Sequence, residues 1–185
     1  MRAAVFLDRD GVVNRCDIRG GKPYAPRTVA HFRLLPGVKD AIRALRRAGY
    51  LIVVVTNQPD IGNRLVDRSV VEAMHDRLKA ALAPDAIEIC PHRQDAGCEC
   101  RKPKPGLLTR AAVRLDIELE RSFMVGDRWS DIVAGHAVGC HTIQVRRRYH
   151  EEFPVKPDTI VGSMAAAARK ILSFKNRYKP PDCFG

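Results

Sequence analysis

The apolar run Val5-Phe6-Leu7 stops abruptly at Asp8-Arg9-Asp10-Gly11. Residues i and i+2 of a strand share a face, so Asp8 and Asp10 converge on one point at the carboxyl end of a strand. Gly11 lets the chain turn sharply there, with backbone N–H groups turned outward. Two carboxylates so placed suit a hard cation and phosphate chemistry: one binds Mg²⁺ and attacks phosphorus, and the other shuttles a proton. A chain that starts this way is expected to build a sheet whose strand ends carry its chemistry.

The rest of the sequence supplies the partners for such a strand. Residues 36–48 place Val38, Ala41, Ile42, Leu45 and Ala48 at helical spacing. Leu51–Val55 is a continuous β-branched run of the kind buried in parallel sheets. Asp67 caps a predicted helix bearing Val70, Val71, Met74, Leu78 and Leu82. Strands over 86–90, 122–125, 141–145 and 159–161 alternate with helices over 105–115, 130–138 and 163–172. The alternation predicts an α/β fold, a Rossmann-like parallel sheet with helices on both faces. Residues 1–173 read as one domain and residues 174–185 as a loose tail.

Composition narrows the setting. With 185 residues and 45% hydrophobic content the chain fills one core. No apolar stretch reaches the roughly 18–20 residues of a membrane span, and the short apolar start holds the acidic pair instead of a secretory signal. A cytoplasmic protein is expected, with no membrane partner. The net charge of +11 favours anionic partners. Without aromatic–basic alternation, nucleic acid is not the expected one. A monomer or weak dimer is expected.

Each predicted strand ends in chemically competent residues, where open α/β sheets bind their ligands. The first delivers Asp8 and Asp10, the second Thr56-Asn57-Gln58, and the fourth Gly126-Asp127-Arg128-Trp129-Ser130-Asp131; a loop after the third carries Arg101-Lys102-Pro103-Lys104-Pro105-Gly106. In this order the motifs resemble those of the haloacid dehalogenase superfamily of phosphohydrolases, over residues 4–145. The resemblance implies an Asp8 nucleophile, Asp10 as acid and base, and phosphate held by Thr56 and Lys102. It implies Mg²⁺ at Asp8, the Asp10 carbonyl and Asp127, with Asp131 as a ligand through water or in the outer sphere. Substrate contacts fall to Arg9, Gly11, Asn57, Gln58, Arg101 and Arg128.

A second cluster lies in residues 90–100, where Cys90-Pro-His92 precedes Cys98-Glu-Cys100. Three thiolates and an imidazole at this spacing suit tetrahedral Zn²⁺, closed and therefore structural. It would pin the loop before Arg101 and Lys102. Cys16, Cys140 and Cys183 are left over, and His31, His75, His136, His141 and His150 lack ligand spacing. The zinc loop and the strings Phe-Leu-Asp-Arg-Asp-Gly and Val-Val-Thr-Asn-Gln are similar to the subgroup of heptose-bisphosphate and histidinol-phosphate phosphatases. The gaps between motifs leave no room for a separate cap domain. Five residues between His92 and Cys98 are nearer the histidinol-phosphate pattern, and Pro59-Asp60-Ile61-Gly62 replaces the usual Ser-Gly-Ile. Arg15, Arg19, Lys22, Arg64 and Arg101 offer cations for a second phosphate, whereas only Asp17, Asp60 and Asp95 could greet a cationic substrate. A sugar bisphosphate is the expected substrate. Histidinol phosphate, a DNA 3′-phosphate, and a non-catalytic binding protein on the same fold are the alternatives.

Overall fold

In the computed structural model, residues 2–149 and 151–175 are described. Six parallel strands form the central sheet: β1 (Ala4–Leu7), β4 (Leu51–Asn57), β5 (Ala86–Cys90), β6 (Phe123–Gly126), β7 (His141–Val145) and β8 (Thr159–Val161). Their spatial order is β5-β4-β1-β6-β7-β8. The chain therefore winds outward from β1 in one direction and, after β5, returns to its other side with β6. That reversal opens a crevice at the carboxyl ends of β1, β4 and β6.

The alternation of side chains along the strands makes two cores. Val5 and Leu7 of β1, Ile52 and Val54 of β4, and Phe123 and Val125 of β6 pack on one face. Ala4, Phe6, Leu51, Val53, Val55 and Met124 pack on the other. Helices α1 (Val38–Arg47), α3 (Arg68–Leu82) and α6 (Met164–Lys175) cover the first face, through Leu45, Leu78 and Ile171 among others. Helix α4 (Gly106–Leu115) covers the second with Leu107, Leu108 and Ala111, and α5 (Trp129–His136) adds Ala134. Each strand buried on both sides must be apolar throughout, which is why Leu51–Val55 carries no alternation.

Three features differ from the sequence expectation. Residues Asp17–Arg19 (β2) and Lys22–Tyr24 (β3) form an antiparallel hairpin over the crevice. Its turn is Gly20-Gly21, both with positive φ (53° and 75°), the left-handed pair that a two-residue hairpin turn requires. A short helix, α2 (Pro59–Gly62), follows β4 directly. Helix α6 continues to Lys175, so the first two residues of the expected tail are helical, while residues 176–185 lie outside the described residues. Among the described residues, no helix is long and apolar enough to cross a membrane, and no inserted segment makes a cap domain: the hairpin, a single 3-10 turn at Val29–His31 and α2 are the additions between β1 and α3.

Candidate active site

The strand ends meet in a cleft of about 630 Å³. Asp8 leaves β1 with its backbone N–H donating to the Val125 carbonyl at 2.9 Å, which locks it to β6. Lys102 reaches in from the opposite wall. Its Nζ donates to Asp8 Oδ1 at 2.7 Å and to the Val55 carbonyl at 2.7 Å, and lies 2.6 Å from Asp131 Oδ1. Asn57 holds the Lys102 backbone on both sides: its Nδ2 donates to the Lys102 carbonyl (3.0 Å) and its Oδ1 accepts from the Lys102 N–H (3.2 Å). One lysine thus joins the end of β1, strand β4 and the first turn of α5.

The carboxylates outnumber the cation. Asp8, Asp127 and Asp131 bring oxygens within 4.8 Å of one another, and both Asp127 oxygens are buried with no hydrogen-bond partner. Burial pushes the Asp8 carboxyl up to about 7; Lys102 opposes this, and Asp131 and Asp10 reinforce it. Burial, with Asp8 and Asp131, holds Asp127 well above the usual carboxylate range. Burial alone would lower the Lys102 pKa, but Asp131 and Asp8 outweigh it and raise it. Orphaned anionic oxygens with only one ammonium among them are the donor set of a hard divalent cation. Asp8 and Asp127 fit Mg²⁺, while Asp131 is already engaged by Lys102 and by the Arg128 N–H, which donates to Oδ2 at 3.0 Å.

Gly11 has a different use from the one expected. Its N–H is occupied, donating to the Asn14 carbonyl at 2.8 Å, and so does not face the cleft as a free donor. Its φ is +90°, and a Cβ there would lie 2.0 Å from Asp127 Oδ2. The glycine makes room for the buried carboxylate. Gly11→Ala is therefore expected to displace Asp127 and lower kcat by roughly 10²-fold, a large effect for a small misplacement. Wild-type activity with alanine at this position would remove the argument.

Arg9 and Gln58 also depart from the roles the resemblance implies. Both side chains are buried, Arg9 completely, and neither lines the cleft. Gln58 Nε2 donates to Asp10 Oδ2 (2.7 Å) and to Thr56 Oγ1 (2.8 Å), while Arg9 grips Asp10. Thr56 is fully buried, and its Oγ1 accepts from Gln58, which leaves the hydroxyl proton to donate elsewhere. The Asp10 carboxylate is thus turned toward these donors and takes no place in the Asp8–Asp127–Asp131 cluster. Arg101 and Arg128 do line the cleft. Arg101 has a buried Nη1 without a partner. The Arg128 guanidinium pairs with Glu151, whose other oxygen accepts from the Trp129 N–H at 3.0 Å. Glu151, too far along the chain from any motif, is missed by sequence reasoning.

The rim of the cleft carries both signs, with Asp60 and Glu151 among its lining residues. Lys22 and Arg101 border the cleft, and Arg15, Arg19 and Arg64 do not. Asp17, Asp60 and Asp95 are each paired already, with Arg19, Arg27 and Arg93 at 3.3, 2.8 and 3.0 Å.

Directly before Arg101, the second cluster is assembled as the spacing predicts. Cys98 Sγ lies 3.6 Å from both Cys90 Sγ and Cys100 Sγ, and His92 Nδ1 lies 3.7 and 3.3 Å from Cys90 and Cys100. A tetrahedron with Zn–S bonds of about 2.3 Å has edges of about 3.8 Å. The donors fit that ion without rearrangement.

Comparison with known proteins agrees with this geometry. The family model described as HAD-hydrolase-like matches residues 99–167. The D-glycero-β-D-manno-heptose-1,7-bisphosphate 7-phosphatase of Pseudomonas putida is 38% identical over 177 residues, covering 91% of this chain and 98% of the relative. The chain belongs to the HAD-like phosphatase family. The enzyme of the same name from Pseudomonas aeruginosa is 37% identical over 78% of this phosphatase and 82% of the relative. Among solved structures, D,D-heptose 1,7-bisphosphate phosphatase from B. bronchiseptica, complexed with magnesium and phosphate, superposes with a TM-score of 0.81 at 32% identity, covering 93% and 99% of the two chains. A putative HAD-like phosphatase from Mesorhizobium loti follows at TM-score 0.76 and 26% identity, covering 98% and 89%.

Proposed function

We propose that this phosphatase removes the 7-phosphate of D-glycero-D-manno-heptose 1,7-bisphosphate or a similar sugar bisphosphate. The observation that carries the reading is the buried Asp8–Lys102–Asp131 bridge beside the orphaned Asp127, in a chain aligned over 91% of its length with a relative of that name. Asp8 attacks phosphorus, and the ester P–O bond breaks as the Asp8 oxygen bonds. Asp10 gives its proton to the departing alkoxide. It then takes a proton from the water that cleaves the aspartyl-phosphate and frees inorganic phosphate. Lys102 and the Thr56 hydroxyl hold the equatorial oxygens as charge develops on them. Mg²⁺, held by Asp8, Asp127 and the Asp10 carbonyl, supplies the positive charge that lets a carboxylate approach a phosphate. Cys90, His92, Cys98 and Cys100 hold structural Zn²⁺, consistent with reduced thiols and a cytoplasmic location.

The distal phosphate falls to Arg101, whose Nη1 is buried without a partner beside the cleft. The pairing of Asp17, Asp60 and Asp95 with arginines supports an anionic over a cationic substrate. One charge-assisted contact contributes roughly 1.5–3 kcal/mol, or about ten- to a hundred-fold. Arg101→Ala should accordingly erase most of the preference, in kcat/KM, for the 1,7-bisphosphate over the 7-monophosphate, and change aryl phosphate turnover much less. Faster turnover of histidinol phosphate than of every sugar phosphate would replace this reading.

A further inference from the structure

The grip on Asp10 continues inward, to a residue that none of the motifs contains. Asn14 Nδ2 donates to Asp10 Oδ1 at 2.8 Å and Gln58 Nε2 to Oδ2 at 2.7 Å, while Arg9 Nη2 reaches both oxygens at 3.2 and 3.0 Å. Arg9 is 0% exposed. A guanidinium has five N–H donors and no acceptor, so a buried one keeps its orientation only if acceptors meet its other edge. Here that acceptor is His75: Arg9 Nη1 and His75 Nε2 lie 3.2 Å apart. Phe32 closes the remaining side, its ring centroid 5.8 Å from the guanidinium carbon.

The pairing dictates the state of the imidazole. Because arginine can only donate, Nε2 must carry its lone pair toward Nη1 and the ring must be neutral, with its proton on Nδ1. Burial, then the Arg9 charge, pushes the His75 pKa down to about 4; Asp10 and Asp76 oppose this, and Lys79 adds to it. Helix α3 sets the ring in place, since Met74 and Leu78 on the same helix are fully buried in the core.

We propose that His75 is a positioning residue: it fixes the Arg9 guanidinium, which in turn aims the Asp10 carboxyl at the leaving-group oxygen. This rests on Asp10 acting as the general acid, and it predicts a selective defect. An alkoxide needs a proton to depart, whereas a p-nitrophenolate leaves without one, so misaiming Asp10 penalises alkyl phosphates alone. kcat/KM covers the steps up to departure of the leaving group and is the parameter to compare.

His75→Leu, which keeps bulk and removes the acceptor, should lower kcat/KM on a sugar phosphate roughly tenfold more than on p-nitrophenyl phosphate, since acid–base catalysis is typically worth 10²–10⁴-fold in all. His75→Gln, whose Oε1 accepts, should restore the wild-type ratio of the two substrates. Taking the ratio within one preparation cancels any loss of folded protein. Should the leucine variant not fold, Arg9→Lys, which keeps the charge but has no second nitrogen to meet Asp10 and His75 together, must show the same selective loss. Equal losses on both substrates, no loss, or a glutamine variant as selective in its defect as leucine would overturn the proposal. Asp10→Asn separates the two levels. If it lacks the alkyl-selective defect, the general-acid reading fails and this inference with it; if only the His75 variant lacks the defect, His75 alone is misassigned.

Discussion

Asp8→Asn is expected to lower phosphate release by roughly 10⁴-fold or more while raising the melting temperature of the metal-free protein. The amide is no nucleophile toward phosphorus, yet its oxygen still accepts the hydrogen bond that Lys102 Nζ makes at 2.7 Å. The stability gain follows from the acidic cluster. In the unfolded chain Asp8 loses its proton near the ordinary value of 3.8, but in the folded protein, largely through burial, only at about 7. Between those values the unfolded state binds fewer protons, so the wild type loses stability as pH rises. The advantage of the variant should therefore be absent at pH 3, grow between about pH 4 and 7, and shrink when Mg²⁺ is added. Thermal melts across that range, with phosphate release at pH 7, check both parts. Substantial turnover in Asp8→Asn would sink the aspartyl-phosphate route. A variant that melts below the wild type at pH 7 without metal would show that the cluster is better balanced than its geometry indicates.

Cys98→Ser is the second large effect. The sulfur of Cys98 sits 3.6 Å from those of both Cys90 and Cys100, so its loss opens the tetrahedron at its centre. Elemental analysis should find about one zinc per wild-type chain and much less in the variant. An ion bound there would cross-link the end of β5 to the segment leading into α4. A cross-link of a loop this short is worth about 3 kcal/mol, or roughly 6–12 °C in a domain of this size. Because Arg101 and Lys102 follow Cys100 directly, kcat/KM should fall about 10- to 100-fold even at saturating Mg²⁺. Unchanged melting in a zinc-free protein would give the cysteines another role.

The parallel sheet and the place of the candidate site were legible in the sequence because both follow from buried strands, whose apolar runs end where the candidate ligands gather; the spatial order of the strands was not. Val5–Leu7 and Leu51–Val55 announce themselves, and the residues just after them are the site. The hairpin of β2 and β3 was not legible by the same route. Its strands are three residues long, largely exposed, and one contains Pro23, so no hydrophobic period marks them. The Gly20-Gly21 pair was the available signal. Side-chain direction was the second blind spot. Nothing in the string Asp8-Arg9-Asp10 says that the Arg9 side chain is buried against Asp10, where the resemblance had placed it on the substrate. His75 offered a clue of a simpler kind: it follows Val71 by one helical turn and shares the buried face with Met74, Leu78 and Leu82. A polar ring on such a face needs a buried partner.

The hairpin shares no ladder with the six-stranded sheet. Its residues Lys22, Pro23 and Tyr24 nevertheless border the cleft. Length or register can therefore drift in that ribbon without moving Asp8, Lys102 or Asp127, since a slip in a two-stranded ribbon stops at its own turn. The hairpin at the border of the cleft and the Asp8–Lys102–Asp131 cluster within it are then free to evolve on separate schedules. A hairpin grafted from a relative would thus change the border of the cleft and leave Asp8 where it stands.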